Sequence, residues 1–79
     1  MIRCSPRDAI RAGECFGAEA ARASRNPVRA LNARLARLFW RLQPAPVRRA
    51  LIYGFVSGYR AEAFVRDAGS PATRRTPQE

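Results

Sequence analysis

The chain contains no histidine and no lysine, only two cysteines, and a single tryptophan and methionine. Without histidine, and with no pair of carboxylates at a useful spacing, general acid–base and nucleophilic chemistry have no evident residues to work with. Glu14 and Glu19 stand five apart and do not face each other squarely on a helix. A non-enzymatic protein is therefore expected. Cys4 and Cys15, if joined by helix, share a face about 16 Å apart, too far to bridge. Two thiols without histidine do not complete a usual structural zinc site. Reduced thiols in a cytoplasmic protein without metal or cofactor are expected, with Cys15 acting as a small apolar residue. Long apolar runs are also missing. The longest uncharged apolar stretch, Ala50 to Tyr59, is ten residues, well short of the ~20 that span a bilayer. No apolar segment follows Arg3, Arg7 and Arg11 as it would in a targeting signal. Strand alternation is absent throughout.

The most informative absence is that of negative charge from the middle of the chain. All fifteen basic residues are arginine, against six acidic ones, for a net charge of +9. Between Ala20 and Ala61 there are nine arginines and no carboxylate, whereas outside that window six arginines face six carboxylates. A segregated positive field of this kind attracts polyanions. High-GC coding accounts for arginine in place of lysine, but not for the missing carboxylates.

Seventy-nine residues allow one domain with a thin core, since a chain this short buries only roughly 60% of the surface its unfolded form exposes. Ser70 to Glu79 holds two prolines, two threonines and no large apolar side chain, which predicts a disordered tail. Residues 1–69 are predicted to form an all-α domain of three helices. The first, about 6–24, opens on Ser5-Pro6-Arg7-Asp8, a cap followed by a first-turn proline and a capping-box acid. Its small residues Gly13, Gly17 and Ala20 or Ala21 make a shallow ridge that another backbone can approach closely. The second, about 27–42, starts at Asn26-Pro27. It carries Val28, Leu31, Leu35, Leu38 and Leu42 as an apolar stripe, with Phe39 on its margin. Gln43-Pro44-Ala45-Pro46 stops it. The third, about 46–67, is apolar on nearly every side and has its own small ridge, Ala50, Gly54 and Gly58. It is expected at the centre, with the first helix along its ridge and the second on another side.

On a continuous second helix, Arg34, Arg37 and Arg41 form a stripe roughly 90–100° from the leucines. Arg48 and Arg49 continue it across the proline turn, and Arg22, Arg25 and Arg29 are outer contributors. Arginine suits phosphate binding because its planar fork donates to two oxygens at once. Five contacts predict a log–log salt slope of about −3.5 to −4.5. Trp40 projects nearly opposite the leucines, beside these cations. There it either stacks on bases, a contact worth ~1–3 kcal/mol, or covers the thin core from a second side. The expected partner is RNA or a ribosome, with DNA a further candidate. Two other readings stay open: a modulator docking on an acidic protein surface through Leu35, Leu38, Phe39 and Trp40, and a basic amphipathic helix lying on an anionic membrane. The small-residue ridges also leave self-association open.

Two stretches resemble the ribosome modulation factor family and its small plasmid- or phage-borne relatives. They are Gly17, Ala20, Ala21, Asn26 and Pro27 in FGAEAARASRNP, and Phe55, Gly58, Tyr59 and Arg60 in FVSGYRAEA. The resemblance covers about 20 residues. It implies a short, basic, helical protein that binds ribosomal RNA. Phe55 and Tyr59 stand where the family usually has tryptophan, and Val28 where an aromatic usually follows the proline. The Arg-rich second helix adds some 20 residues to the family's short connector.

Overall fold

The computed structural model describes residues 3–69, with side chains through residue 67. These residues are all-α, in four helices: α1 (Pro6–Arg22), α2 (Pro27–Leu35), α3 (Leu38–Arg41) and α4 (Ala45–Gly69). The tail predicted over Ser70–Glu79 lies outside the described residues.

Local chemistry sets most of the boundaries. The Ser5 hydroxyl accepts from the Asp8 N–H at 3.1 Å and caps α1, with Pro6 at the first helical position. Asn26 does the same for α2, accepting from the Arg29 N–H at 3.1 Å ahead of Pro27. In each case a side-chain oxygen satisfies an N–H that has no partner within the helix. The first helix ends at Arg22, short of the predicted Ser24. Ser24 adopts a left-handed conformation (φ 56°), and the Arg25 N–H closes back on the Ala20 carbonyl at 2.9 Å, as in a Schellman stop.

The spine of the molecule is the pair α1 and α4, which run parallel. Ile10 meets Gly54, Glu14 meets Gly58, and Gly17 meets Phe55 and Tyr59. Positions therefore advance together along both helices. The approach is close because both helices carry glycine four residues apart at the crossing, and all four glycines are buried. A Cβ at Gly13 would stand 2.7 Å from the Phe55 nitrogen, and one at Gly17 2.7 Å from the Tyr59 nitrogen. In the other direction, a Cβ at Gly54 would lie 2.9 Å from the Ile10 Cα, and one at Gly58 2.7 Å from the Glu14 Cα. Each obstacle is backbone, which cannot swing aside. Glycine in a helix costs ~1 kcal/mol against alanine, and here contact between the two backbones offsets it. Both small-residue ridges are consumed inside the chain, so neither remains for a second copy.

Parallel packing needs a connection that returns along the molecule, and α2 and α3 supply it. They do not form the single helix 27–42 that the leucine spacing predicts. Arg37 is extended (ψ 141°), which breaks the helix between Leu35 and Leu38 and resets its phase. Beyond the break the stripe no longer faces inward. Leu38 is 63% exposed and Leu42 59%, and Val28 at the start of α2 is 65% exposed. Trp40 takes their place. It is 8% exposed and packs in a core with Ala9, Val47 and Leu51, flanked by Cys4, Phe16, Leu35 and Ala50. Phe16 and Phe39 meet its indole edge-on, with centroids 6.3 and 5.0 Å away. No residue of α2 is buried.

Cys15 is exposed, contrary to the apolar role expected of it. Cys4 is the thiol that packs against the core. Gln43, which in sequence reads only as a helix stop, is 3% exposed. Its Oε1 accepts from the Cys4 N–H at 2.9 Å and its Nε2 donates to the Phe39 carbonyl at 3.2 Å. It thereby ties the N-terminal segment to the end of α3.

Candidate polyanion interface

Seven residues carry the expectation of a binding face: Arg29, Arg34, Arg37, Trp40, Arg41, Arg48 and Arg49. The structure does not bring them together as one stripe. Trp40 is buried in the core, so the stacking role is corrected. Phe16 and Phe39 pack nearly perpendicular to it, and at 8% exposure it offers no open indole face to a base. Arg34 turns toward α1. Its guanidinium carbon sits 3.9 Å from the centroid of the Phe16 ring, and its Nη2 lies 3.5 Å from Glu19 Oε1. A half-exposed pair of this length contributes little to stability, ~0–1 kcal/mol. Even so, it neutralises one cation of the proposed face. Arg29 is exposed on the first turn of α2, at the opposite end of that helix from Arg37.

The remaining cations fall into two groups. One borders a cleft of about 430 Å³ where α2 crosses α1 and α4. Arg25, Arg34 and Arg37 line it together with Phe16, Glu19 and Phe55. The other gathers at the end of the molecule where α1 and α4 both begin. Arg41 closes α3, and Arg48 and Arg49 lie within the first five residues of α4. Because α1 runs parallel to α4, its first turn reaches the same end and brings Arg3 and Arg7, with Asp8 the one carboxylate nearby. All five arginines are exposed. Among the described residues none of their side chains makes a hydrogen bond or ion pair. The positive poles of the α1 and α4 helix dipoles point the same way and add to this field.

Arg3 and Arg7 were not legible as contributors. In sequence they belong to the flanks, where cations and carboxylates balance, and only parallel packing brings them to the same end of the molecule as Arg48 and Arg49. At the far end carboxylates stand among the cations, because Glu62 and Asp67 sit in the last turns of α4. Arg22 Nη1 lies 3.5 Å from Glu62 Oε1 there. Arg66 donates to the Ala21 carbonyl and, at 3.3 Å, to the Ser24 hydroxyl. Tyr59 donates to the Arg25 carbonyl at 3.0 Å. Arg22 and Arg66 thus hold the α1–α2 turn to α4 and are structural cations.

The two stretches that resemble the ribosome modulation factor family pack against each other. Gly17 of the first lies on Phe55 and Tyr59 of the second, and Phe55 is 1% exposed. Among the described residues no helix is long and apolar enough to cross a membrane. No family model, curated protein or solved structure matches the chain.

Proposed function

We propose that this is a small, non-catalytic polyanion-binding accessory protein whose target is RNA, free or in a ribosome, ahead of DNA. The observation that carries the reading is the group of exposed, unpaired guanidinium groups formed by Arg41, Arg48, Arg49, Arg3 and Arg7, with Arg37 beside it. Several forks on one end of a rigid helical pair contact successive phosphates without reorganising the fold. The preference for RNA is supported by the resemblance of FGAEAARASRNP and FVSGYRAEA to a family of ribosomal-RNA binders.

With Arg34 occupied by Glu19, Arg37, Arg41, Arg48 and Arg49 remain of the sequence-predicted cations, and Arg3 and Arg7 join them. Six phosphate contacts give a log–log salt slope of about −4.2 to −5.4. Fluorescence anisotropy titrations of RNA and DNA between ~50 and ~200 mM salt measure it. Arg37→Ala/Arg41→Ala/Arg48→Ala should flatten the slope by about 2 to 3 with the fold intact by circular dichroism. Absence of any nucleic-acid affinity at low salt would sink the reading.

A second reading has its own observation. Leu38, Phe39 and Leu42 form an exposed apolar group on α3 and the turn after it, a surface suited to a protein partner. In that case Leu38→Ala/Leu42→Ala would weaken capture of the partner, and salt would matter little. The amphipathic membrane helix loses its geometry, because 27–42 is broken at Arg37.

A further inference from the structure

With Trp40 buried, the bases of a bound strand need other rings. The most exposed aromatic side chains are Phe64, at 73%, and Tyr53, at 65%. Both lie on the face of α4 that turns away from α1. At 100° per residue, Arg49, Tyr53, Arg60 and Phe64 fall within about 60° of one another. They form two copies of one unit, an arginine followed four residues later by an aromatic, placed eleven residues or about 16 Å apart. Arg49 and Arg60 are exposed, and among the described residues neither makes a hydrogen bond or ion pair. From Ala45 to Ala61 the helix carries no carboxylate. Glu62, which follows, is engaged with Arg22, and Asp67 bounds the face at its C-terminal end.

We propose that this outward face of α4 is a track for single-stranded RNA, in which Tyr53 and Phe64 stack on bases while Arg49 and Arg60 hold the phosphates between them. The proposal rests on the polyanion reading above and adds the strand state to it. Alternating rings and forks match a backbone that alternates flat bases with negative charge, and stacking tolerates any base because every base has a π-face. The order of residues argues against other occupants. In a helix lying on a membrane, cations flank the apolar sector and reach up to the headgroups. Here Arg49 and Arg60 lie in the middle of the sector bounded by Ile52 and Phe64, where lipid would desolvate them. A second copy docking this face on itself about a two-fold axis would bury four arginines with no carboxylate from residues 45–61 to neutralise them.

The test is fluorescence anisotropy with an unstructured RNA of about 12 nucleotides, alone and annealed to its complement. Arg37→Ala/Arg41→Ala/Arg48→Ala is carried as the variant for the arginine end. Tyr53→Ala/Phe64→Ala should lose about ten-fold in single-strand affinity per ring, hence about 100-fold, with duplex affinity within about two-fold of wild type. Tyr53→Phe/Phe64→Tyr, which keeps both rings, should bind as wild type does. Circular dichroism and Trp40 emission check that each variant folds. If the ring-less protein binds the single strand as tightly as wild type, the track is overturned while the arginine end stands. Equal losses for strand and duplex overturn it too. Wild type that ignores both RNAs overturns the track, and if it ignores DNA of the same length as well it overturns the underlying reading too, whether or not it binds vesicles of phosphatidylcholine and phosphatidylglycerol.

Discussion

The α1–α4 spine and the α2–α3 crossover are held by different physics. The spine is two helices in backbone contact, with Gly13, Gly17, Gly54 and Gly58 removing every Cβ from the crossing. Leu51 and Phe55, at 0% and 1% exposure, fill the space beside it. Fully burying side chains of this size contributes about 1.5–3 kcal/mol each. The crossover has no buried residue in α2. It is attached by Trp40 and Gln43 at one end and by Tyr59 and Arg66 of α4 at the other. A region held by a few anchors keeps most of its surface free, and that is where the unpaired cations Arg29, Arg37 and Arg41 are found. Rigidity thus belongs to the spine, whereas unpaired cations sit both on the crossover and, as Arg7, Arg48, Arg49 and Arg60, on the exposed surface of the spine helices.

Removing the main anchor should have the largest effect on that division. Trp40→Ala is expected to destabilise by ~3–5 kcal/mol, a large share of the total stability of a small domain. Urea unfolding followed by far-ultraviolet circular dichroism measures it. A loss below about 1 kcal/mol would mean that the crossover is held elsewhere. Wild-type Trp40 emission should also be that of a buried indole and should not be quenched by bound RNA.

Next comes the spine. Alanine is the better helix former by ~1 kcal/mol, so an unconstrained site would gain from Gly54→Ala. With the Ile10 backbone in the way, a net loss of about 2 kcal/mol or more is expected. A rise in the urea midpoint would show that the helices do not approach this closely.

A smaller effect of the opposite sign is expected where the spine hands over to the crossover. Ser24 holds a left-handed conformation that glycine adopts freely, so Ser24→Gly should stabilise by about 1 kcal/mol. The Arg66 contact to the Ser24 hydroxyl is exposed, and its loss subtracts little. Thermal unfolding that shows destabilisation would place the hydroxyl contact above the backbone strain.

The gentlest probe distinguishes the two thiols. Burial, and secondarily the charge of Asp8, raise the Cys4 thiol above its ordinary value, so less thiolate is present at any given pH. Cys4 should therefore alkylate more slowly than exposed Cys15, with its pH–rate midpoint displaced upward. Mass spectrometry after partial reaction with iodoacetamide resolves the order, and Cys4 reacting first would contradict the packing of the N-terminal segment on Gln43.

Helix starts were legible because caps are local. Ser5-Pro6 and Asn26-Pro27 act through atoms three residues away and need no tertiary information. The glycine ridges were legible for a related reason, since spacing by four puts them on one face whatever they meet. The site was read less well. The prediction of an Arg34, Arg37 and Arg41 stripe rested on helical phase carried unbroken through Arg37. One extended residue there exchanged the places of Trp40 and the leucines. No local signal marks that break, because Ala36-Arg37 contains neither glycine nor proline. The burial of Trp40 against Ala9, Val47 and Leu51, residues far away in the chain, accompanies it.

Composition and short-range spacing by themselves determined an all-α chain, its helix starts, the close-packing ridges and the excess of arginine over carboxylate. These depend on backbone sterics, capping and formal charge, all of which act within a turn or two. Only the tertiary structure decided that the first and last helices run parallel, which arginines therefore share an end, and which aromatic rings face water. Those outcomes depend on contacts between residues some forty positions apart, where packing of whole helices outweighs the periodicity of any one of them.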